Sequence, residues 1–340
     1  MSSGIEKFIW DLTYACPLLC AHCYSESGRR PARVLGREEA MRVIDVILAA
    51  RPSRVSISGG EPLIVPWCLE AVKRIHEAGV VVTLFTSGWV LNEASATELA
   101  TSVATVAVSV DGPEPGVHDA IRRRPGAFDR ALAALDLLLR VKKQRRAAGL
   151  TCCTIGIDYT LTRSGSNLSE LERFVGQVTS KLAGLDFVRF GAVVPTGLAA
   201  EEGFEATDML SVEELVGILD EKPRLAAAAH NGTEVSVTDV RYFLPQKESD
   251  VTAVRIAQLE PDGALRAFPI YEAKVGNVLQ EPLDVLWERA MAWRTDSFVA
   301  AQLNSIRTME DWARATRTLD RKYGSADDRA RIALRTTTPT

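Results

Sequence analysis

Cys16-Pro17-Leu18-Leu19-Cys20-Ala21-His22-Cys23 places three thiols within eight residues, at C-x3-C-x2-C spacing. Directly after a hydrophobic run, such a set can give three soft thiolates to one cluster of four irons and leave the fourth iron open to a small molecule. On spacing alone a zinc knuckle, a disulfide and coincidence stay open; structural zinc asks for four closed ligands, and His22, between two cysteines, is expected to point away. A second chemical feature is Gly59-Gly60-Glu61-Pro62. Two glycines let a backbone edge approach a ligand closely, and a glutamate is an acceptor for an ammonium group.

Both features begin where an expected strand stops. Residues 8–13 read as a strand ending in the cysteine loop, followed by Tyr24 and a helix over 37–50; residues 54–58 read as a second strand. Further strands are expected at 80–88, 106–112, 155–162 and 187–194, with helical runs such as 131–139 between them. Strand, helix, strand repeats imply parallel strands covered by helices, so the expected class is α/β: a partial (β/α)6 TIM-type barrel with ligands at the carboxy ends of its strands, plus a small C-terminal α+β cap. With 340 residues, 46% of them hydrophobic, the chain can bury one large catalytic core and an appendage. The expected division is a core over 1–200, a bridging helical segment over 201–250, a cap with C-terminal helices over 251–326, and a flexible tail over 327–340.

With its motifs in this order, the chain resembles the radical S-adenosylmethionine (SAM) superfamily. The resemblance implies that Cys16, Cys20 and Cys23 hold one [4Fe-4S] cluster and that Gly59, Gly60, Glu61 and Pro62 contact the methionine amino group of SAM, with Tyr24 beside the cluster loop. The third strand and its turn fit, with Ser87 where asparagine is frequent. The segment from Ser109 through Asp111-Gly112 to His118, Asp119 and Arg122 resembles members that carry a carboxy-terminal extension called SPASM. It implies that Ser109 and Arg122 serve the cofactor, that Asn167 is a further SAM contact, and that the turn at Pro195 lies near the adenine. The hairpin over 255–268, turning at Pro261-Asp262-Gly263, and the Gly276-Asn277 turn resemble that extension too. Phe268 stands where the extension has a cysteine, and no cysteine follows Cys153, so the cap is expected to be a cluster-free remnant.

The net charge of −4 and pI near 5.8 argue against nucleic acid as substrate. No apolar run reaches membrane-spanning length and no secretory leader is visible, so a cytoplasmic protein without a membrane partner is expected. Six cysteines are too few for a disulfide scaffold. The resemblance implies an external electron donor such as flavodoxin or ferredoxin, reductive cleavage of SAM, and hydrogen abstraction from a substrate. The first strand begins within ten residues of the start, which points away from a leader-peptide domain and towards a small polar metabolite: a sugar, aminocyclitol or nucleoside. With no auxiliary cluster, redox-neutral dehydration, decarboxylation or epimerisation in antibiotic biosynthesis is expected, as a lyase or epimerase. A maturase of a ribosomally made peptide and a non-enzymatic metal-binding module are the alternatives. Four residues near the fifth strand are candidates for the chemistry after abstraction. Cys152 or Cys153 would return a hydrogen atom, while Asp158 and Tyr159 would contact a hydroxyl or move a proton.

Overall fold

The computed structural model describes residues 4–244 and 254–335. Its core is one sheet in the order β10-β9-β8-β1-β2-β3-β4-β5-β6-β7. The strands are β1 Lys7–Asp11, β2 Arg54–Ser58, β3 Val81–Thr86, β4 Thr105–Ser109, β5 Thr154–Leu161, β6 Phe187–Ala192, β7 Glu234–Thr238, β8 Ile256–Leu259, β9 Ala264–Arg266 and β10 Lys274–Asn277. From β8 through β1 to β7 every neighbour is parallel, while β9 and β10 add an antiparallel edge. The sheet does not close on itself, which leaves a partial barrel.

Helices return the chain between parallel strands: α1 Arg37–Ala49, α2 Cys68–Glu77, α3 Glu93–Ser102, α4 Pro115–Arg122, α5 Ala127–Ala147 and α6 Leu168–Lys181. Their apolar faces cover one side of the sheet. On β5, Ile157, Tyr159 and Leu161 are buried on that side, with Tyr159 packed on Phe174 of α6. The period of two along a strand therefore turns Gly156, Asp158 and Thr160 to the concave side. No helix among the described residues is long and apolar enough to cross a membrane.

Two segments differ from expectation. The 201–250 stretch supplies the short helices α7 Glu202–Thr207, α8 Val212–Asp220 and α9 Lys222–Ala227, but also β7, which extends the barrel beside β6. The cap is likewise continuous with the barrel, because β8 pairs in parallel with β1. A five-residue strand among polar loops carries too short an alternation to be read without its partner. After α10 Leu283–Arg294, α11 Ser297–Asn304 and α12 Met309–Tyr323, residues Ala326–Arg335 form helix α13, where a flexible tail is expected from 327. Asp328 and Ile332 of α13 are buried against the body, which explains its order. The boundary at 250 and the last residues, 336–340, lie outside the described residues.

Phe268 is buried against Tyr271, ring centroids 5.8 Å apart, with the Arg294 guanidinium 4.7 Å above it. Nearby, buried Arg266 lies 3.0 Å from Glu260 and 3.5 Å from Glu272. Apolar packing and paired charges thus fill the region around Phe268.

Candidate active site

The cysteine loop leaves β1 and is held by backbone on two sides. Leu19 N–H donates to the carbonyl of Arg122 at 3.2 Å and Ala21 N–H to that of Ile121 at 2.8 Å, so the end of α4 anchors it. On the other side Gly60 N–H donates to Thr13 O at 2.7 Å and Glu61 N–H to Ala15 O at 2.9 Å. A Cβ on Gly60 would lie 2.1 Å from the Ala15 oxygen, and one on Gly59 would lie 2.6 Å from that of Thr13. Gly59 has φ of +120° as well. Both glycines are therefore required by the approach of the chain to its own cysteine loop.

Cys16, Cys20 and Cys23 are all free and share one packed group with Leu18, Ala127 and Trp89. Burial pushes the Cys16 thiol up to about 12 and the Cys20 thiol to about 11, with Arg122 opposing the rise at Cys20. Buried thiols at one point ionise only against compensating positive charge, which cluster irons provide. Among the described residues no group of three or more His, Cys, Asp or Glu side chains is arranged to hold a metal ion. The donor set and its burial fit a [4Fe-4S] cluster.

Behind the loop lies a charged array. Asp111, fully buried after β4, has its Oδ2 2.5 Å from Arg122 Nε and 2.8 Å from His22 Nε2, while Oδ1 accepts from Thr160 N–H at 3.1 Å. Arg122 Nη1 reaches Cys20 Sγ at 3.6 Å. Burial alone would raise the Asp111 carboxyl, but Arg122 and then His22 hold it well below the ordinary carboxylate range. His118 Nδ1 accepts the Asp111 N–H at 3.0 Å, and burial lowers its imidazole to about 4.

A second buried array orders the front of the loop. The Tyr24 hydroxyl donates to Asp11 Oδ1 at 2.6 Å and lies 3.0 Å from Ser58 Oγ, and Gln258 donates to Asp11 Oδ2 at 2.9 Å. Asp11, Ser58 and Gln258 are absent from the sequence-based candidates. The available signal was an acid in the alternating run Lys7-Ile9-Asp11, whose buried apolar neighbours Phe8, Trp10 and Leu12 face the other way.

Glu61 is fully buried, yet its carboxylate is already occupied. Oε1 accepts from Thr86 Oγ1 at 2.8 Å and Leu63 N–H at 3.2 Å; Oε2 accepts from Ser87 N–H at 2.9 Å and Ser87 Oγ at 2.5 Å. The side chain ties the β2 turn to the β3 turn. Pro62 is buried at the start of the short turn that follows.

The remaining candidates divide by location. Ser109, Asp158, Arg189 and Ser236 are register neighbours across β4 to β7 and share the concave face. Arg189 Nη1 lies 3.5 Å from Asp158 Oδ1, and burial pushes the Asp158 carboxyl up to about 6 against the pull of Arg189. A raised carboxyl ionises more easily in the unfolded chain, so this group's contribution to stability declines as pH rises from the ordinary value towards 6. Arg189→Gln should move the Asp158 titration upward, read as the carboxyl carbon shift by NMR; an unchanged midpoint would contradict the pairing.

Pro195 lies beside the loop. Its carbonyl accepts from Thr316 Oγ1 at 2.8 Å, and a Cβ on the following Gly197 would stand 2.3 Å from the Tyr24 oxygen. Three expectations are corrected. Cys152 and Cys153 precede β5 at its amino end, where Cys153 N–H bonds Ala100 O, so neither is brought to the carboxy-end loops. Tyr159 faces the helix layer, donating to Gly165 O at 2.7 Å between Phe174 and Phe190. Asn167 is exposed and caps α6, accepting from Glu170 N–H at 3.2 Å. Sequence placed these residues on or beside the right strand, the cysteines at its start, but could not fix which side chains face the concave side.

Residues 10–163 match the Radical SAM superfamily model. The chain carries a radical SAM domain. Members of this family use a [4Fe-4S] cluster and SAM. Among curated relatives, the AdoMet-dependent heme synthase of Methanosarcina barkeri is 36% identical over 41% of this chain and 40% of its own. The mycofactocin maturase MftC of Mycobacterium tuberculosis is 35% identical over 48% of this chain and 39% of its own. The sporulation killing factor maturation protein SkfB of Bacillus subtilis is 26% identical over 80% of this chain and 62% of its own. This chain thus spans about two fifths of the length of the first two. Among solved structures, Streptococcus suis SuiB bound to precursor peptide SuiA shares the fold at TM-score 0.63, with 14% identity over 90% of this chain and 69% of SuiB.

Two of these proteins are named for maturation and a third is seen with a precursor peptide; none of the four is named for a sugar, aminocyclitol or nucleoside. The expectation of a small polar metabolite, handled by a lyase or epimerase in antibiotic biosynthesis, is corrected by these relatives. That expectation rested on where the first strand begins and on a missing auxiliary cluster, and neither property reports on the substrate.

Proposed function

We propose that this chain is a radical SAM maturase that removes a hydrogen atom from a C–H bond of a ribosomally made peptide. The likeness to MftC, joined by SkfB across most of the chain, carries this reading. When bound, the cluster and SAM together supply the adenosyl radical that takes the hydrogen.

The chain's own residues provide placement. Asp111 neutralises Arg122 and hydrogen-bonds His22, which keeps a cation fixed at Cys20 rather than free to swing. The Asp11, Tyr24 and Ser58 array fixes the loop after Cys23 to the first two strands. Ser109 lies on the concave face next to Asp158, where it can meet the cofactor, and the turn after Pro195 braces the loop, Leu198 N–H donating to the Cys23 carbonyl at 3.1 Å. Asp158 and Arg189 offer a peptide one carboxyl group and one guanidinium inside the partial barrel, enough to orient an amide or a charged side chain. Free thiols suit a reducing compartment such as the cytoplasm.

The test is anaerobic turnover of the reconstituted protein with peptides encoded by neighbouring open reading frames and deuterated at Cα and Cβ. Deuterium in 5'-deoxyadenosine, with a changed peptide mass, is the expected result. Robust SAM cleavage with no deuterium transfer from any such peptide would refute the reading.

A further inference from the structure

A cavity of about 1170 Å³ opens beside the cysteine loop, between residues 26–33, the turn from Leu198 into α7, and the helices α12 and α13. Ala21, which separates Cys20 from His22, is part of its wall. Helix α13 is fixed there by charge. Arg331 and Arg335 both reach the Glu26 carboxylate, Arg335 Nη1 lies 3.0 Å from Glu201 Oε1, and Arg331 Nη2 lies 3.2 Å from Asp328 Oδ1.

The charges of the cavity do not balance, because eight arginines line it against six carboxylates. Five of those arginines have carboxylate partners. Among the described residues the other three, Arg29, Arg123 and Arg321, have no carboxylate within ion-pair reach, and all three are exposed. Arg29 is held at the cysteine loop, donating to the Cys20 carbonyl at 3.2 Å and to the Leu19 carbonyl, while Arg123 is the left-handed cap of α4. Burial, and with it the nearby charge of Arg123, lowers the Arg29 guanidinium. Arg321 comes from α12, on the opposite part of the chain. The two lining acids without an arginine, Glu202 and Asp208, stand at the two ends of α7, and Asp208 already accepts from Ser164 N–H at 2.8 Å.

In a chain of net charge −4, solvent-facing guanidiniums gathered without acids repel one another, a cost that a bound anion removes. Apolar surface accompanies them, since Leu198, Phe204, Ala330 and Leu334 line the same cavity, Leu334 at 66% exposure. A small anion would use the charges and leave that surface bare, and the volume exceeds the roughly 300–1,000 Å³ usual for small-molecule sites. An extended peptide, advancing about 3.3 Å per residue with side chains to alternate sides, can meet both the guanidiniums and the apolar wall.

We propose that this cavity binds an acidic segment of the peptide substrate, outside the residue that loses hydrogen, through Arg29, Arg123 and Arg321. The inference rests on the maturase reading. It gives the peptide a second hold beside the cysteine loop, where binding raises the effective concentration of the reacting residue without touching the chemistry.

The experiment titrates reconstituted holoenzyme, at low and high salt, with a dye-labelled decapeptide of interspersed glutamate and leucine and with its glutamine counterpart. The variants are Arg123→Glu with Arg321→Glu, Arg321→Glu alone, and Arg173→Glu, the last an exposed arginine of α6 outside the cavity. The acidic probe should bind wild type in a salt-weakened manner, about 10- to 100-fold more weakly in the double variant, and within about twofold of wild type in Arg173→Glu. The glutamine counterpart should bind at least about 10-fold more weakly than the acidic probe. Iron content and melting temperature are followed in each variant; where the double variant loses either, Arg321→Glu, on an exposed face of α12, decides. No binding of the acidic probe, equal binding of the glutamine counterpart, undiminished binding in the cavity variants, or an equal loss in Arg173→Glu would overturn the proposal. Displacement of the probe by inorganic phosphate at matched concentration would overturn it too, in favour of a small-anion site. Acidic-probe binding with no hydrogen transfer from any peptide would sink the maturase reading, whereas hydrogen transfer without acidic-probe binding would sink this proposal and leave that reading intact.

Discussion

Cys20→Ala is expected to lower iron from about four atoms per chain to below about one after anaerobic reconstitution, and to abolish reductive cleavage of SAM. Cys20 is the most buried of the three thiols and the one that Arg122 touches, so water has poor access to replace the missing ligand. Cys152→Ala and Cys153→Ala are the matched controls, since both residues sit at the amino end of β5, away from the carboxy-end loops. They should leave iron and cleavage within about twofold of wild type. Iron retained in Cys20→Ala, or lost in either control, would contradict the assignment of the C-x3-C-x2-C loop as the cluster site.

The second large effect is expected at Asp111→Asn. The wild-type carboxylate is fully buried and serves Arg122, His22 and the Thr160 N–H at once. An amide of the same shape removes the charge but leaves the Arg122 guanidinium buried, which costs about 3–5 kcal/mol. The anaerobic melting temperature should fall by roughly 4–7 °C. Cluster occupancy should fall with it, because Arg122 would no longer be fixed at Cys20 Sγ. Asp136→Asn supplies the contrast. Its partner Arg140 is one turn away and both side chains are about 60% exposed, so the loss should stay under about 0.5 kcal/mol. A melt shift under about 2 °C in Asp111→Asn would show that the array is not what holds the loop.

The parallel core was legible from spacing. Strands expected at 54–58, 155–162 and 187–194 appear as Arg54–Ser58, Thr154–Leu161 and Phe187–Ala192, and the helix expected at 37–50 as Arg37–Ala49. Apolar runs of that length between amphipathic helices have few other packings. The segments that failed, β7 and α13, are stabilised by partners remote in sequence: β6 for the strand, and for the helix the buried group around Asp328, whose Oδ2 accepts from Lys274 Nζ at 2.6 Å.

The site divides in the same way. Residue type and spacing announced the three cysteines and the Gly-Gly-Glu-Pro turn, because few chemistries or backbone paths ask for those residues together. Spacing could not say that Glu61 would be consumed by Thr86 and Ser87, that Gly60 serves the Ala15 carbonyl, or that Asn167 would cap a helix. Each of those roles is a contact between segments that fold together only in three dimensions. Substrate class was equally out of reach, since it depends on what fills the concave face and on relatives rather than on where the chain begins. The sequence by itself announced the radical SAM domain and marked three cysteines as its candidate cluster ligands, because thiolate softness and C-x3-C-x2-C spacing are properties of a short local segment. Only the tertiary structure decided the array of Asp111, His22 and Arg122 and the facing of Asp158 and Tyr159. Hydrogen bonds and charge pairs between distant strands set those positions, and side-chain alternation has no sense of inside or outside until the sheet curves.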